Sequence, residues 1–212
     1  MRIGTGARIA TLSLFWVNFV FVSGQQALAA VPSPDARADR SELATLLGND
    51  SNEGFPGAVE PRAFVFPQDH GPHPEFRNEW WYLTGNLDDE RGRRFGFELT
   101  IFRFAVTPDR PPADSNWRTN QVYIAHFAVT DVAGERFVVA ERFSRGALGL
   151  AGAQAEPFRV WINDWSIAAA GAGAAEQWRL SAADDEIALD LMLTAQKPVV
   201  LNGQDGLSQK SA

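Results

Sequence analysis

The sequence contains no cysteine, and in 212 residues only three histidines, two methionines and two tyrosines. Without cysteine there is no disulfide framework, no thiol nucleophile and no lipid-modified N-terminal Cys. Three histidines leave few ways to build a conventional catalytic triad. The G-x-S-x-G elbow, the P-loop, the dinucleotide fingerprint and HExxH are all missing. Positive charge is also scarce: 19 Lys+Arg stand against 26 Asp+Glu, a net charge of −7. That balance argues against nucleic acid as a partner, because phosphate binding needs a basic surface to release its counterions. Long helical periodicity and internal repeats are absent as well, so no helix of more than a few turns is expected between Glu79 and Ala195.

What is present is centred on residues 66–104, FPQDHGPHPEFRNEWWYLTGNLDDERGRRFGFELTIFRF. A polar loop with two histidines runs into an aromatic strand, a tight acidic turn and a second apolar strand. Side chains alternate faces along a strand, which sets Glu79, Trp81 and Leu83 opposite Trp80, Tyr82 and Thr84. Neither face is plainly polar, so both need cover, from a closed barrel with a lined cavity or from a second layer. After a proline-rich loop (Val106 to Arg118), Gln121 to Asp131 and Phe137 to Phe143 read as strands joined by the short turn Val132 to Glu135. Ser144 to Glu156 is rich in Gly and Ala. Phe158 to Ala168, Gln177 to Ala182 and Ile187 to Ala195 continue the alternation. About seven short strands at this spacing predict an all-β, antiparallel up-and-down meander.

The N-terminus is built like a secretory signal, with Arg2 and Arg8 ahead of an apolar stretch from Ile9 to Val22 and small residues at Ala27-Leu28-Ala29. Cleavage is expected between Ala29 and Ala30, giving a periplasmic or secreted protein with 17 Lys+Arg against 26 Asp+Glu. An uncleaved membrane anchor is the competing reading, opposed by Asn18 inside the run and by the well-formed small-residue exit. The expected organisation is a signal peptide at 1–29, a flexible lead-in at 30–60 with a short apolar cluster around Leu43 to Leu47, and one β domain at 61–212.

Chemistry has three candidate locations. His70 and His73, with Asp69 and Glu75 beside them, form the densest polar cluster and could share a proton relay. Pro72 and Pro74 forbid a helix there and no third ligand is evident, so neither a metal site nor a cofactor is expected. Glu79, Glu98, Arg103, His126, Glu141 and Arg142 are ionisable groups set in apolar strands. They either tie strands together as ion pairs or line a pocket. Glu98 and Arg103 fall on opposite faces of one strand, so each needs a cross-strand partner. Trp80, Trp81 and Trp161 supply aromatic walls that suit an apolar ligand or ordinary core packing. The pocket candidates are therefore Glu79, Trp80, Trp81, Glu98, His126 and Trp161, with His70 and His73 as loop candidates. No catalytic residue is assigned.

The phrases FPQDHGPHPEFRNEWWYLTGNL, FGFELTIFRF, AHFAVTD, AERFSRGALGLAG, PFRVWINDW and LDLMLTAQKPVVLNGQDGLSQK resemble the AttH/CrtC family over Phe64 to Lys210. These are lipocalin-like secreted proteins whose members include carotenoid 1,2-hydratase (hydroxyneurosporene synthase) and a protein accompanying an ABC transporter. The resemblance implies tandem antiparallel barrels of lipocalin or streptavidin type, of which this chain would supply the first, truncated at its C-terminus. It implies an apolar or lipid-like small molecule as ligand, an ABC transporter permease as partner and contact with a membrane surface. Alternatively it implies a hydro-lyase that adds water to an isoprenoid double bond. The family's catalytic positions would lie in the second half, so none carries over to this chain.

Overall fold

The computed structural model describes residues 2–3, 8–11, 53–109, 112, 114–171 and 176–208. Most of the expected signal and lead-in, including the cluster around Leu43 to Leu47, lies outside them. Eleven strands are present among the described residues: β1 (Arg2–Ile3), β2 (Arg8–Thr11), β3 (Asn78–Asp88), β4 (Arg94–Ala105), β5 (Gln121–Asp131), β6 (Arg136–Arg145), β7 (Ala151–Ala155), β8 (Phe158–Ile162), β9 (Trp165–Ala169), β10 (Gln177–Ala183) and β11 (Ala188–Thr194). The first sheet runs β2-β3-β4-β5-β6 and the second β1-β11-β10-β9-β8-β7. From β3 onward each ladder joins sequential antiparallel strands, the meander that the alternation predicts.

Local chemistry sets the turns. Between β3 and β4, Asp89 Oδ1 accepts the backbone N–H groups of Arg91 (2.8 Å) and Arg93 (2.9 Å), closing the chain on itself. Between β5 and β6 the Asp131 carboxylate does the same for Gly134 at 2.9 Å. Between β8 and β9 two residues suffice, Asn163 and Asp164, with Asn163 in the left-handed region at φ 55°. That turn divides the stretch from Phe158 to Ala168, read from sequence as one run, into a hairpin. Strand β7 falls within the Gly- and Ala-rich stretch and has no counterpart in the sequence reading.

The two inner faces make one core. Trp81, Leu83, Phe97, Leu99, Ile101 and Phe127 from the first sheet meet Val160, Ile162, Trp165, Leu180, Leu191 and Leu193 from the second. The rings of Phe127 and Trp165 meet edge-on with centroids 5.6 Å apart.

The expected barrel is not closed. Among the described residues β6 and β7 share no ladder, because the chain leaves β6 through the Gly146 to Gly149 segment and enters the second sheet from there. Side chains instead tie β6 to the ends of β9 and β10 in the second sheet. Arg142 of β6 pairs with Asp164, donates to the Ala183 carbonyl at 3.0 Å and lies over the Trp165 ring at 4.4 Å. Strands β1 and β2 fall inside the expected signal. β1 adds in parallel to β11 and β2 adds antiparallel to β3, so each occupies a sheet edge.

Candidate functional site

The inner face of the first sheet is apolar along most of its length and polar at one end. Register places Trp81 opposite Ile101 and Ile101 opposite Ala125, and two residues further on Glu79 opposite Arg103 and Arg103 opposite Tyr123. Tyr123 is followed by Ser144 on β6. All four of these polar residues are buried. The strands thus carry a polar row into the interior, where an unpaired charge would be costly.

That cost is met by the His70–Arg77 loop. Both Glu79 oxygens accept the His73 backbone N–H (3.0 and 3.1 Å), and Oε1 lies 2.6 Å from His73 Nδ1. Arg103 donates from Nε to Glu79 (3.1 Å), from Nη1 to Gln121 (2.7 Å), and from Nη2 to the carbonyls of His73 (3.0 Å) and Phe76 (2.9 Å). On the outer side of the imidazole, His73 Nε2 is 2.9 Å from Asp69 and 2.7 Å from Arg62, which also pairs with Asp69 at 2.8 Å. The Asp69 carboxylate additionally accepts the Val65 N–H.

Burial pulls the His73 imidazole down, but its contacts with Glu79 and Asp69 outweigh this and hold it above the ordinary histidine value. Burial raises the Asp69 carboxyl, and the hydrogen bonds from His73, Val65 and Arg62 more than reverse it, leaving it at about 2.

His70, three residues earlier, has the opposite environment. Its ring is packed by Phe66 (4.6 Å), Trp178 (4.8 Å) and Phe158 (6.2 Å), and its carbonyl accepts the Trp81 indole N–H at 2.8 Å. Glu176 approaches Nε2 to 2.6 Å, without hydrogen-bond alignment. Burial dominates over that carboxylate and lowers the imidazole below its ordinary value.

Beside this cluster lies an open cavity of about 810 Å³. Its floor is Arg103, Gln121 and Tyr123, its walls are Pro72 and Pro74 of the histidine loop, Ser115, Asn116, Arg118 to Asn120, and Ala147 to Gly149, and Ala153 contributes from β7. The volume is in the range of small-molecule sites, and the lining mixes apolar surface with a few polar groups. Gly146 is what lets the wall come this close: a Cβ there would stand 3.0 Å from Gln121 Cβ and 3.1 Å from the Tyr123 ring. Burial pushes the Tyr123 phenol up to about 12, so it stays protonated.

The residues singled out from sequence fall into three places. Glu79, His73 and His70 lie in or beside the buried end of the sheet, and Trp81 packs in the core. Trp80, Glu98 and His126 sit on the outer face of the first sheet. There Phe102 lies tilted against Trp80 (6.3 Å) and edge-on to His126 (5.3 Å), Glu98 accepts from Thr100 (2.9 Å), and His126 pairs with Glu141 (3.1 Å). Trp161 is on the second sheet, against Gly152, and donates its indole N–H to the Gly149 carbonyl at 2.9 Å at the cavity wall. The cavity residues that sequence reasoning missed are Gln121 and Tyr123. Their signal was parity, since Tyr123 continues the inward series Val129, Phe127, Ala125. Among the described residues no cluster of His, Asp and Glu has the arrangement of a metal site.

A two-sheet antiparallel fold with a cavity at one end is the architecture of a lipocalin-like protein. The AttH-like family model matches residues 57–212, and the chain belongs to that family. It is also similar to the crystal structure of a candidate AttH protein from Nitrosomonas europaea. The identity is 30% and the TM-score 0.60, over 73% of this chain and 46% of that one. The chain thus spans less than half the length of that relative. No curated protein matches.

Proposed function

We propose that this protein is a periplasmic carrier for an apolar or lipid-like ligand, held in the cavity over Arg103, Gln121 and Tyr123 and delivered to or received from an ABC-type export system at the membrane surface. The observation that carries the reading is the cavity itself. Among the described residues, buried Leu, Ile, Phe and Trp side chains pack between the sheets, and this cavity lies at the polar end of the sandwich beside them. Leu148 lines the cavity yet is half exposed, an apolar wall held ready at the rim.

The alternative, a hydro-lyase acting on an isoprenoid, needs an acid to protonate the alkene. The described lining holds no carboxyl and no imidazole, and the Tyr123 phenol, at about 12, is a poor acid. This favours the carrier. Export fits the signal-like N-terminus, and removal of residues 1–29 would take β1 and β2 from the sheet edges.

The test is titration with Nile red, a neutral lipophilic dye, followed by its blue shift. The parent should bind it saturably, and Leu148→Asp should weaken binding while melting within a few degrees of the parent. Undiminished binding by Leu148→Asp would move the ligand elsewhere on the molecule. N-terminal sequencing of the exported protein should begin at Ala30.

A further inference from the structure

The carrier reading leaves the ligand's chemistry open, and the cavity floor narrows it. Arg103 and Tyr123 are both more than nine-tenths buried, at 1% and 4% exposure, and both reach the cavity. Arg103 spends four of its five N–H donors on Glu79, Gln121 and the carbonyls of His73 and Phe76. One N–H on Nη1 has no partner among the described residues, and neither does the Tyr123 hydroxyl. The nearby Gln121 amide is used on both sides, its oxygen by Arg103 and its nitrogen by Asn120. The floor therefore presents donors held in fixed positions and asks for acceptors.

Charge agrees with this. In a chain with 26 acidic residues, the described lining has two arginines, Arg103 and Arg118, and no carboxylate. At the rim Arg118 is shared with Asp114 at 3.3 Å, an exposed pair that solvent screens. Behind the floor, the cluster sets Arg62, His73 and Arg103 against Asp69 and Glu79. Each carboxylate there has its own arginine, Asp69 with Arg62 and Glu79 with Arg103, so the cluster sets no uncompensated negative charge behind the floor.

We propose that the site takes the carboxylate of an acyl-chain amphiphile, its head accepting from Arg103 Nη1 and the Tyr123 hydroxyl and its chain lying along Ala147, Leu148 and Pro112. The assignment rests on the carrier reading above. It adds that binding is governed by an anionic head as well as by apolar surface. A hydrogen bond from a charged guanidinium to an anionic head is roughly twice as strong as one between neutral groups, even through a single N–H.

Isothermal titration of the full chain near neutral pH with dodecanoate, dodecanol and dodecyl phosphate tests the assignment. Dodecanoate should bind about tenfold or more tighter than dodecanol, the scale of one hydrogen bond to a charged group. Tyr123→Phe should weaken dodecanoate by about the same factor, weaken dodecanol less, and keep the melting temperature, since the hydroxyl it removes has no partner among the described residues. Asn116→Asp, which sets a carboxylate on the rim without changing shape, should weaken dodecanoate alone. Equal affinity for acid and alcohol, or parent-like dodecanoate binding in both variants, would overturn the head assignment and leave the carrier standing. Tighter binding of dodecyl phosphate would replace the carboxylate with a phosphate. Failure of all three amphiphiles to bind would overturn the carrier reading as well.

Discussion

The two faces of the first sheet carry the same kind of residue to different ends. Inside, Glu79 and Arg103 face each other across β3 and β4, fully buried, and share hydrogen bonds with the histidine loop and with Gln121. Outside, His126 and Glu141 face each other across β5 and β6, with the Glu141 side chain 55% exposed. Each is a base and an acid in cross-strand register within an apolar strand. The difference teaches that register alone does not set the worth of an ion pair. The inner pair determines whether the loop from His70 to Arg77 can dock and the cavity wall can exist, whereas the outer pair is one contact beside a row of large apolar side chains in register, Trp80, Phe102 and Ile124.

The sharpest way to break this comparison is to neutralise the inner acid. Glu79→Gln leaves Arg103 buried and without its counter-charge, which should cost roughly 3–5 kcal/mol and lower the melting temperature by about 6 to 20 degrees. Replacing both partners, Glu79→Gln with Arg103→Met, should recover a large part of that loss, because no stranded charge remains. If the double variant is as unstable as the sum of the singles, the pair is not acting as a unit.

A smaller effect separates the two histidines of the loop. His73 is held above its ordinary value, so its contribution is complete below about pH 6.5 and is lost as pH rises through the value it has in the fold. His70 is held below its ordinary value, so its contribution is present above about pH 6.5 and is lost as pH falls through its value in the fold. Asp69, at about 2 instead of 3.8, contributes above the ordinary carboxyl range and stops contributing as pH falls toward 2. Melting temperatures across this range should therefore show His70→Phe, whose new ring fits among Phe66, Phe158 and Trp178, gaining in acid relative to the parent. His73→Gln should lose the parent's decline on the alkaline side. A His70→Phe curve parallel to the parent's would remove the buried neutral imidazole from the account.

Much of this was legible in the sequence. The alternation in residues 78–105 and 121–131 gave β3, β4 and β5, because each is half or fully buried and keeps a period of two throughout. The acidic turn after β3 and the short turn from Val132 to Glu135 were legible, and in each the structure adds a carboxylate, Asp89 or Asp131, that accepts backbone N–H groups. Two features were not legible. Ala151 to Ala155 has no large side chain to mark its inward face, and in Phe158 to Ala168 the turn shows only as a one-residue change of phase, the buried series passing from Ile162 to Trp165. The cavity was harder still, since its walls are prolines, glycines and short polar residues from three loops that meet only in the fold. The need of Arg103 for a cross-strand partner followed from parity. That the partner was Glu79, with His73 closing the set, depended on how the loop folds back.

The smallest expected effect is on the outer pair. Glu141→Gln keeps the shape of the side chain and removes a charge that water already screens, so it should change stability by no more than about 1 kcal/mol, or about 2–4 degrees in melting temperature. It should leave Nile red and dodecanoate binding unchanged, because neither Glu141 nor His126 lines the cavity. High salt should erase what difference there is, as it does for exposed pairs and does not for buried ones. A loss approaching that of Glu79→Gln would mean that the outer face is covered in solution, by a second copy or by another protein. The apolar row from Trp80 to Ile124 would then be an interface, and the contrast between the two faces would become one between two buried surfaces.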